Sequence, residues 1–100
     1  MSRQFLVAAE AQADIAEAVE WLNDRSPALP LRFRNAVEDA FKAISEYPEM
    51  FPVVHREIRR ALLQHFPYSV FYVVYEHVIL IVGVVHQARN PAVWKRRSPN

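Results

Sequence analysis

Two stretches in the first half of the chain show the hydrophobic periodicity of α-helices. Between residues 9 and 23, apolar side chains recur at intervals of three and four, at Ala11, Ile15, Ala18 and Leu22. A second stripe follows at Phe33, Val37, Ala40, Phe41 and Ile44. The pattern predicts two antiparallel helices joined by a short turn.

Prolines set the limits of the second helix. Pro48 ends it after Tyr47, because proline cannot continue a helical hydrogen-bond ladder. Pro27 and Pro30 both suit a first helical turn, so we predict a start between Pro27 and Leu31.

The remaining segments are rich in β-branched and aromatic residues, which favour strands. One short strand is predicted at residues 3–7, before the first helix. Three more are predicted over Glu57–Phe66, Tyr68–Tyr75 and Val78–His86, with turns at Pro67 and at Glu76-His77.

These elements predict one α+β domain over residues 1–100, a two-helix hairpin packed on a small antiparallel β-sheet in the order β-α-α-β-β-β. The last strand, VILIVGVVH, is apolar on both faces. Since one helical hairpin covers only one face, the other needs a tail, a second copy or a partner protein. The single glycine, Gly83, predicts a bulge or a close packing contact in this strand.

Charge is divided between the two halves of the chain. The formal net charge is +1. Nine of the eleven acidic residues precede residue 51, whereas seven of the twelve lysines and arginines and all four histidines follow it. This division predicts at least one charged partner. The early acidic residues argue against a secretory signal, and no apolar run reaches membrane-spanning length, so we expect a cytoplasmic protein.

The composition narrows the possible chemistry. There is no cysteine, and therefore no disulfide framework or thiolate site. The sequence has no zinc-binding spacing and no glycine-rich phosphate loop, and its strand half has no acidic cluster suited to Mg²⁺, so we expect no metal and no cofactor.

Polar groups in the second half suggest two interpretations. Histidine transfers protons near neutral pH and arginine stabilises phosphorane charge, which would suit metal-free phosphodiester cleavage. The catalytic candidates are His86, Arg59, Arg60, Arg89, His65 and Tyr68. In the other interpretation, the arginines hold an acidic partner and His86 only ends a strand. Arg59 and Arg60 are consecutive in a strand and must point to opposite faces.

An ordered set of motifs resembles the RelE/ParE superfamily of bacterial toxins. The set begins with the helical stripe Phe33, Val37, Ala40 and Ile44 and with Pro48. It continues with Ile58-Arg59-Arg60, then Phe66-Pro67-Tyr68 with Val70 and Tyr72, and then His86, Arg89, Pro91 and Trp94 in HxxRxPxxW. The resemblance implies the toxin of a type II toxin–antitoxin, or plasmid stabilisation, system, with the fold described above. It also implies a cognate antitoxin protein. We expect the antitoxin to contact Arg59, Arg60, Leu62, His86, Arg89 and Trp94.

The superfamily has two mechanistic branches. RelE-like members are ribosome-dependent mRNA endonucleases, whereas ParE-like members arrest growth by binding DNA gyrase. Here Gln87 stands where some nucleases place a tyrosine, and the segment His55-Arg56-Glu57 before Arg59 contains no lysine. These departures favour the ParE-like branch. The nuclease remains an alternative, as does a non-toxic regulatory subunit that only binds antitoxin.

Overall fold

The computed structural model describes residues 3–99. In chain order the elements are β1 (Gln4–Val7), α1 (Ala9–Asn23), α2 (Leu29–Glu46), β2 (Val53–His55), β3 (Ile58–Leu62), β4 (Tyr68–Val74), β5 (Val78–His86) and α3 (Ala92–Lys95). The two long helices pack on one face of a five-stranded sheet, which confirms the α+β fold. None of the helices in this range is long and apolar enough to span a bilayer.

Both long helices follow the sequence periodicity. Helix α1 covers the predicted residues, and helix α2 begins inside the predicted interval with Pro30 in its first turn. The helix ends before Tyr47, whose N–H donates to the Ala43 carbonyl, and Pro48 then prevents further helical bonding. The buried side chains of the two helices are Ala11, Ala18, Leu22, Phe33, Val37 and Ile44.

The sheet is mixed, not purely antiparallel as predicted. Its strand order is β1-β5-β4-β3-β2, and β1 pairs with β5 in parallel. All other neighbours are antiparallel. The parallel pair arises because the chain crosses from β1 through both helices and three strands before it reaches β5. Strands β4 and β5 contribute side chains to two hydrophobic clusters, one on each face of the sheet.

Three local features differ from the prediction. Between the second helix and the strand predicted from Glu57, where no element was predicted, lies the three-residue strand β2, which is too short to show alternation. Helix α3 follows Pro91 and is also short. Strand β3 ends at Leu62 instead of Phe66, because the chain turns at His65, whose φ is 68°.

The carboxyl-terminal segment covers the second face of the sheet. Trp94 is buried there, and its ring stacks on Phe71 with centroids 4.1 Å apart. The side chains that share this second cluster are Ile58, Phe71, Val73, Val82 and Val85. Of the three predicted ways to cover this face, the chain uses its own tail.

Candidate functional site

The outer edge of β5 becomes free halfway along the strand. Strand β1 ends at Val7, and the Ala8 N–H makes a last bond to the Ile81 carbonyl before α1 begins. From Val82 to His86, β5 therefore has only β4 as a neighbour. Unpaired backbone groups at such an edge need other partners.

Asp14 and Arg97 supply those partners at the start of the free edge. Asp14 Oδ2 accepts the Val84 N–H at 3.0 Å, and Arg97 Nη1 donates to the Val82 carbonyl at 3.1 Å. Arg97 also binds Asp14 directly, with Nη1 2.6 Å from Oδ2. An ion pair in the tail and first helix thus replaces a neighbouring strand.

Gly83 combines both features predicted for it. Phe71 pairs with Gly83 and Tyr72 with Ile81, so Val82 is an extra residue and β5 has a bulge. A Cβ added at Gly83 would lie 2.9 Å from Arg97 Nη1. The absence of a side chain therefore lets the Arg97 guanidinium reach the strand.

A cavity of about 220 Å³ lies beside the end of this edge, and we call it the edge cavity. Helix α1 forms one wall, the end of β5 forms the floor, and the turn after β5 forms the other wall. The lining residues are Asp14, Glu17, Ala18, Trp21, Tyr68, Val84, Val85, His86 and Arg89.

Three of the predicted site residues meet in the edge cavity. Tyr68 opens β4 directly opposite His86 at the end of β5, and their rings meet edge to face with centroids 5.0 Å apart. Arg89 reaches the cavity from the following turn. The sheet register thus brings together residues that are far apart in sequence.

Burial and charge act together on Tyr68. Desolvation raises the pKa of its phenol, and the Glu17 carboxylate raises it further, while Arg89 lowers it. The phenol is therefore held in its neutral form, which is able to donate a hydrogen bond. Glu17 makes the α1 wall of the cavity negative, and Arg89 makes the opposite wall positive.

One ring nitrogen of His86 is already in use. The Ala88 N–H donates to His86 Nδ1 at 2.9 Å, which fixes the turn that carries Arg89. Because Nδ1 accepts this bond, only Nε2 remains for other partners. In the structure, His86 therefore stabilises the turn after β5 through its bond to the Ala88 N–H.

Arg59 lies on the helix-covered face and supports a loop. Its Nη1 donates to the Phe51 carbonyl at 2.6 Å and to the Glu49 carbonyl at 3.2 Å. It pairs across the sheet with Tyr72, whose hydroxyl donates to the Pro48 carbonyl at 2.7 Å. These bonds hold the loop between α2 and β2 in place.

The other predicted residues lie elsewhere. Arg60 and Leu62 are exposed on the second face, with 58% of Leu62 accessible. His65 lines a different cavity with Arg32 and Asp39 of α2. Trp94 is 8% exposed and packs on its own sheet, so little of its ring is left for a partner.

Sequence patterns did not predict the roles of Asp14, Glu17 and Trp21. For Asp14 a signal existed, because it lies three residues after Ala11 and four before Ala18, both fully or almost fully buried. A carboxylate on the buried face of a helix requires a partner. Among residues 3–99, no three histidine, aspartate or glutamate side chains form a group that could hold a metal ion.

The chain matches a toxin family in sequence and shares the fold of a solved structure. Residues 5–91 match the family described as ParE toxin of type II toxin-antitoxin system, parDE. No curated protein matches the chain. A solved structure titled "Chromosomal ParDE TA system from P. aeruginosa" contains a chain with the same fold, at a TM-score of 0.74 and 16% identity. The match covers 85% of this chain and 96% of that one. Because the family match spans most of its length, the chain belongs to the ParE toxin family of type II toxin–antitoxin systems.

Proposed function

We propose that this protein arrests bacterial growth by binding and inhibiting DNA gyrase in the cytoplasm, and that a cognate antitoxin neutralises it. Membership of the ParE toxin family supports the toxin role. The proposal treats the protein as a binder that performs no chemistry of its own.

The observation that carries the proposal is that half of the six candidate nuclease groups, Arg59, Arg60 and His65, lie away from the edge cavity that holds the other three. Arg59 is bound to two loop carbonyls, and His65 lines a cavity on the α2 side. Arg60 points from the opposite face of the sheet to Arg59. Cleavage of a phosphodiester needs an acid, a base and a charge stabiliser around one phosphate, and in the edge cavity His86 already uses Nδ1 to accept the Ala88 N–H.

For the antitoxin we propose a contact surface on the exposed part of the second face. Arg60 offers positive charge there, and the neighbouring Leu62 offers an apolar side chain. Charged groups at the rim of an interface accelerate association, while buried apolar groups contribute affinity. Arg59 and Trp94 contribute to this surface indirectly, by holding the loop and the tail in place.

Induced expression in a bacterial host tests the proposed target. We expect growth arrest with DNA breaks and an SOS response, and an equal arrest by His86→Ala. His77→Ala is the matched control, because His77 is an exposed histidine in the turn before β5. Cleavage of mRNA within codons, lost in His86→Ala and kept in His77→Ala, would overturn the gyrase proposal.

The same experiment addresses the RelE-like alternative. That alternative is favoured by one observation, the meeting of Tyr68, His86 and Arg89 in the edge cavity. In it, His86 Nε2 and the neutral Tyr68 phenol would transfer protons, and Arg89 would stabilise phosphate charge. Expression without growth arrest would instead indicate a non-toxic, antitoxin-binding subunit.

A further inference from the structure

Two backbone groups at the end of β5 face no strand of the sheet. The Val84 N–H points away from β4, since it donates to Asp14. The Val84 carbonyl and the His86 N–H lie on the same side, because alternate residues of an antiparallel strand face the same neighbour. The His86 carbonyl is already bound by the Arg89 N–H at 3.0 Å. The Val84 carbonyl and the His86 N–H are thus left as one acceptor and one donor, two residues apart on the same side of β5, where a neighbouring strand could bond to both.

Arginines border the same edge. Arg89 lines the edge cavity and also a second cavity, of about 540 Å³, that adjoins it. The second cavity is lined by Glu10, Arg89, Val93, Arg96 and Arg97. We call it the arginine cavity.

The three arginines differ in how many of their guanidinium N–H groups can still bind an anion. Arg97 is bound to Asp14. Arg96 uses its Nε–H on the Ala92 carbonyl, which leaves its terminal N–H groups for other partners. Among residues 3–99, Arg89 makes no side-chain hydrogen bond or ion pair. Two guanidinium groups can therefore bind an incoming anion.

We infer that the end of β5 binds an extended, acidic peptide segment of a partner protein. The segment's backbone pairs with the Val84 carbonyl and the His86 N–H, and one of its carboxylates lies on Arg89 and Arg96. This inference rests on the proposed antitoxin partner and assigns it a second contact, separate from the surface around Arg60 and Leu62.

The surrounding charges favour a peptide over a nucleic acid. Glu10 lines the arginine cavity and Glu17 lines the edge cavity, both on α1. Consecutive phosphates would meet these carboxylates, whereas a peptide carries negative charge only where it has an acidic side chain. The Val84 carbonyl also needs a hydrogen-bond donor, which a peptide N–H supplies and a deoxyribose–phosphate chain does not.

The ion pair of Asp14 with Arg97 determines where such a segment can bind. It occupies the Val82 carbonyl and the Val84 N–H, so an incoming strand finds partners only beyond them. An added strand can bond only to those edge groups that are not already occupied. The pair therefore confines the segment to the end of β5, beside Arg89.

Nuclear magnetic resonance titration of the labelled full chain tests this inference. The probe is a blocked hexapeptide of alternating valine and glutamate, and the control replaces each glutamate with glutamine. We expect the acidic peptide to shift the His86 amide and the Arg89 and Arg96 side-chain signals, and the control to bind about tenfold more weakly. Shifts confined to other surfaces, or equal binding of both peptides, would overturn the inference.

Variants and a second probe complete the test. Arg89→Gln and Arg96→Gln should each weaken the acidic peptide about tenfold, whereas Lys95→Gln, an exposed neighbour, should not. A short thymidine oligonucleotide that binds this edge more tightly than the peptide would contradict the choice of partner. Gyrase inhibition is measured without any peptide, so a chain that inhibits gyrase but binds no acidic peptide here would refute this inference alone.

Discussion

Arg97 and Asp14 form an ion pair, with 2.6 Å between Nη1 and Oδ2, although they are 83 positions apart in sequence. The pair joins the last turn of the chain to the first helix across the free edge of β5. Each partner also binds the β5 backbone, so the contact replaces the strand that would otherwise lie there.

Removal of either partner should destabilise the fold. The two side chains are only 18% and 17% exposed, so Arg97→Met leaves a poorly solvated carboxylate and Asp14→Asn a poorly solvated guanidinium. We expect each to lower the free energy of unfolding by about 2 kcal/mol, measured in urea. Lys95→Met, at an exposed position, is the control. A double variant that costs the full sum would show that the two residues act independently.

Gly83→Ala should act through the same ion pair. The added Cβ would lie 2.9 Å from Arg97 Nη1, so the guanidinium must leave its place between Asp14 and the strand. We expect a loss of about 1–2 kcal/mol in the native background. In the Arg97→Met background the same substitution should cost almost nothing. An equal cost in both backgrounds would mean that the β5 bulge itself requires glycine.

Tyr72 should make stability fall at alkaline pH. Burial raises the pKa of its phenol to about 12, with Arg59 opposing, from 10.0 in an exposed tyrosine. Because the folded-state pKa is the higher one, the stabilisation is complete below about pH 10 and is lost as pH rises toward about 12. Tyr72→Phe should remove this pH dependence and cost about 1 kcal/mol at neutral pH, through loss of the bond to Pro48.

The control for this titration is Tyr47→Phe, since Tyr47 is 60% exposed. Urea unfolding at several alkaline pH values measures the effect. The Tyr68 phenol, whose pKa is also raised, contributes in the same direction and remains in both variants. Identical slopes for Tyr72→Phe and the native chain would contradict the assignment.

Arg60 and Leu62 should matter for antitoxin binding but not for folding, because both are exposed on the second face. We expect Arg60→Glu to slow association about tenfold at low salt, with a smaller effect at high salt. Leu62→Ala should raise the dissociation constant about tenfold. Surface plasmon resonance with the cognate antitoxin measures both, and Arg32→Glu on α2 is the control. Unchanged binding at low salt would exclude this surface.

Much of the fold follows from local sequence patterns. The apolar stripes predicted both long helices, and the uninterrupted apolar run predicted β5 with its observed limits. The parallel pairing of β1 with β5 could not be predicted in the same way, because it depends on contacts between distant residues. Short elements such as β2 and α3 do not contain enough residues to show a period.

The candidate site was predicted less completely than the fold. Tyr68, His86 and Arg89 were named from the sequence and do lie together. Arg59 and Trp94 were named as contacts for partners. Within the fold, Arg59 donates hydrogen bonds to loop carbonyls and Trp94 stacks on Phe71. A residue's type shows which bonds it can make, whereas only the fold shows whether those bonds are already made.

Purified gyrase provides the most direct test of the central claim, that this toxin acts by binding gyrase. The native chain, His86→Ala and His77→Ala are added to supercoiling reactions over a range of molar ratios. We predict that all three inhibit supercoiling and accumulate cleaved DNA, and that antitoxin reverses the effect. Unchanged supercoiling at large molar excess, together with ribosome-dependent mRNA cleavage that His86→Ala abolishes, would contradict it.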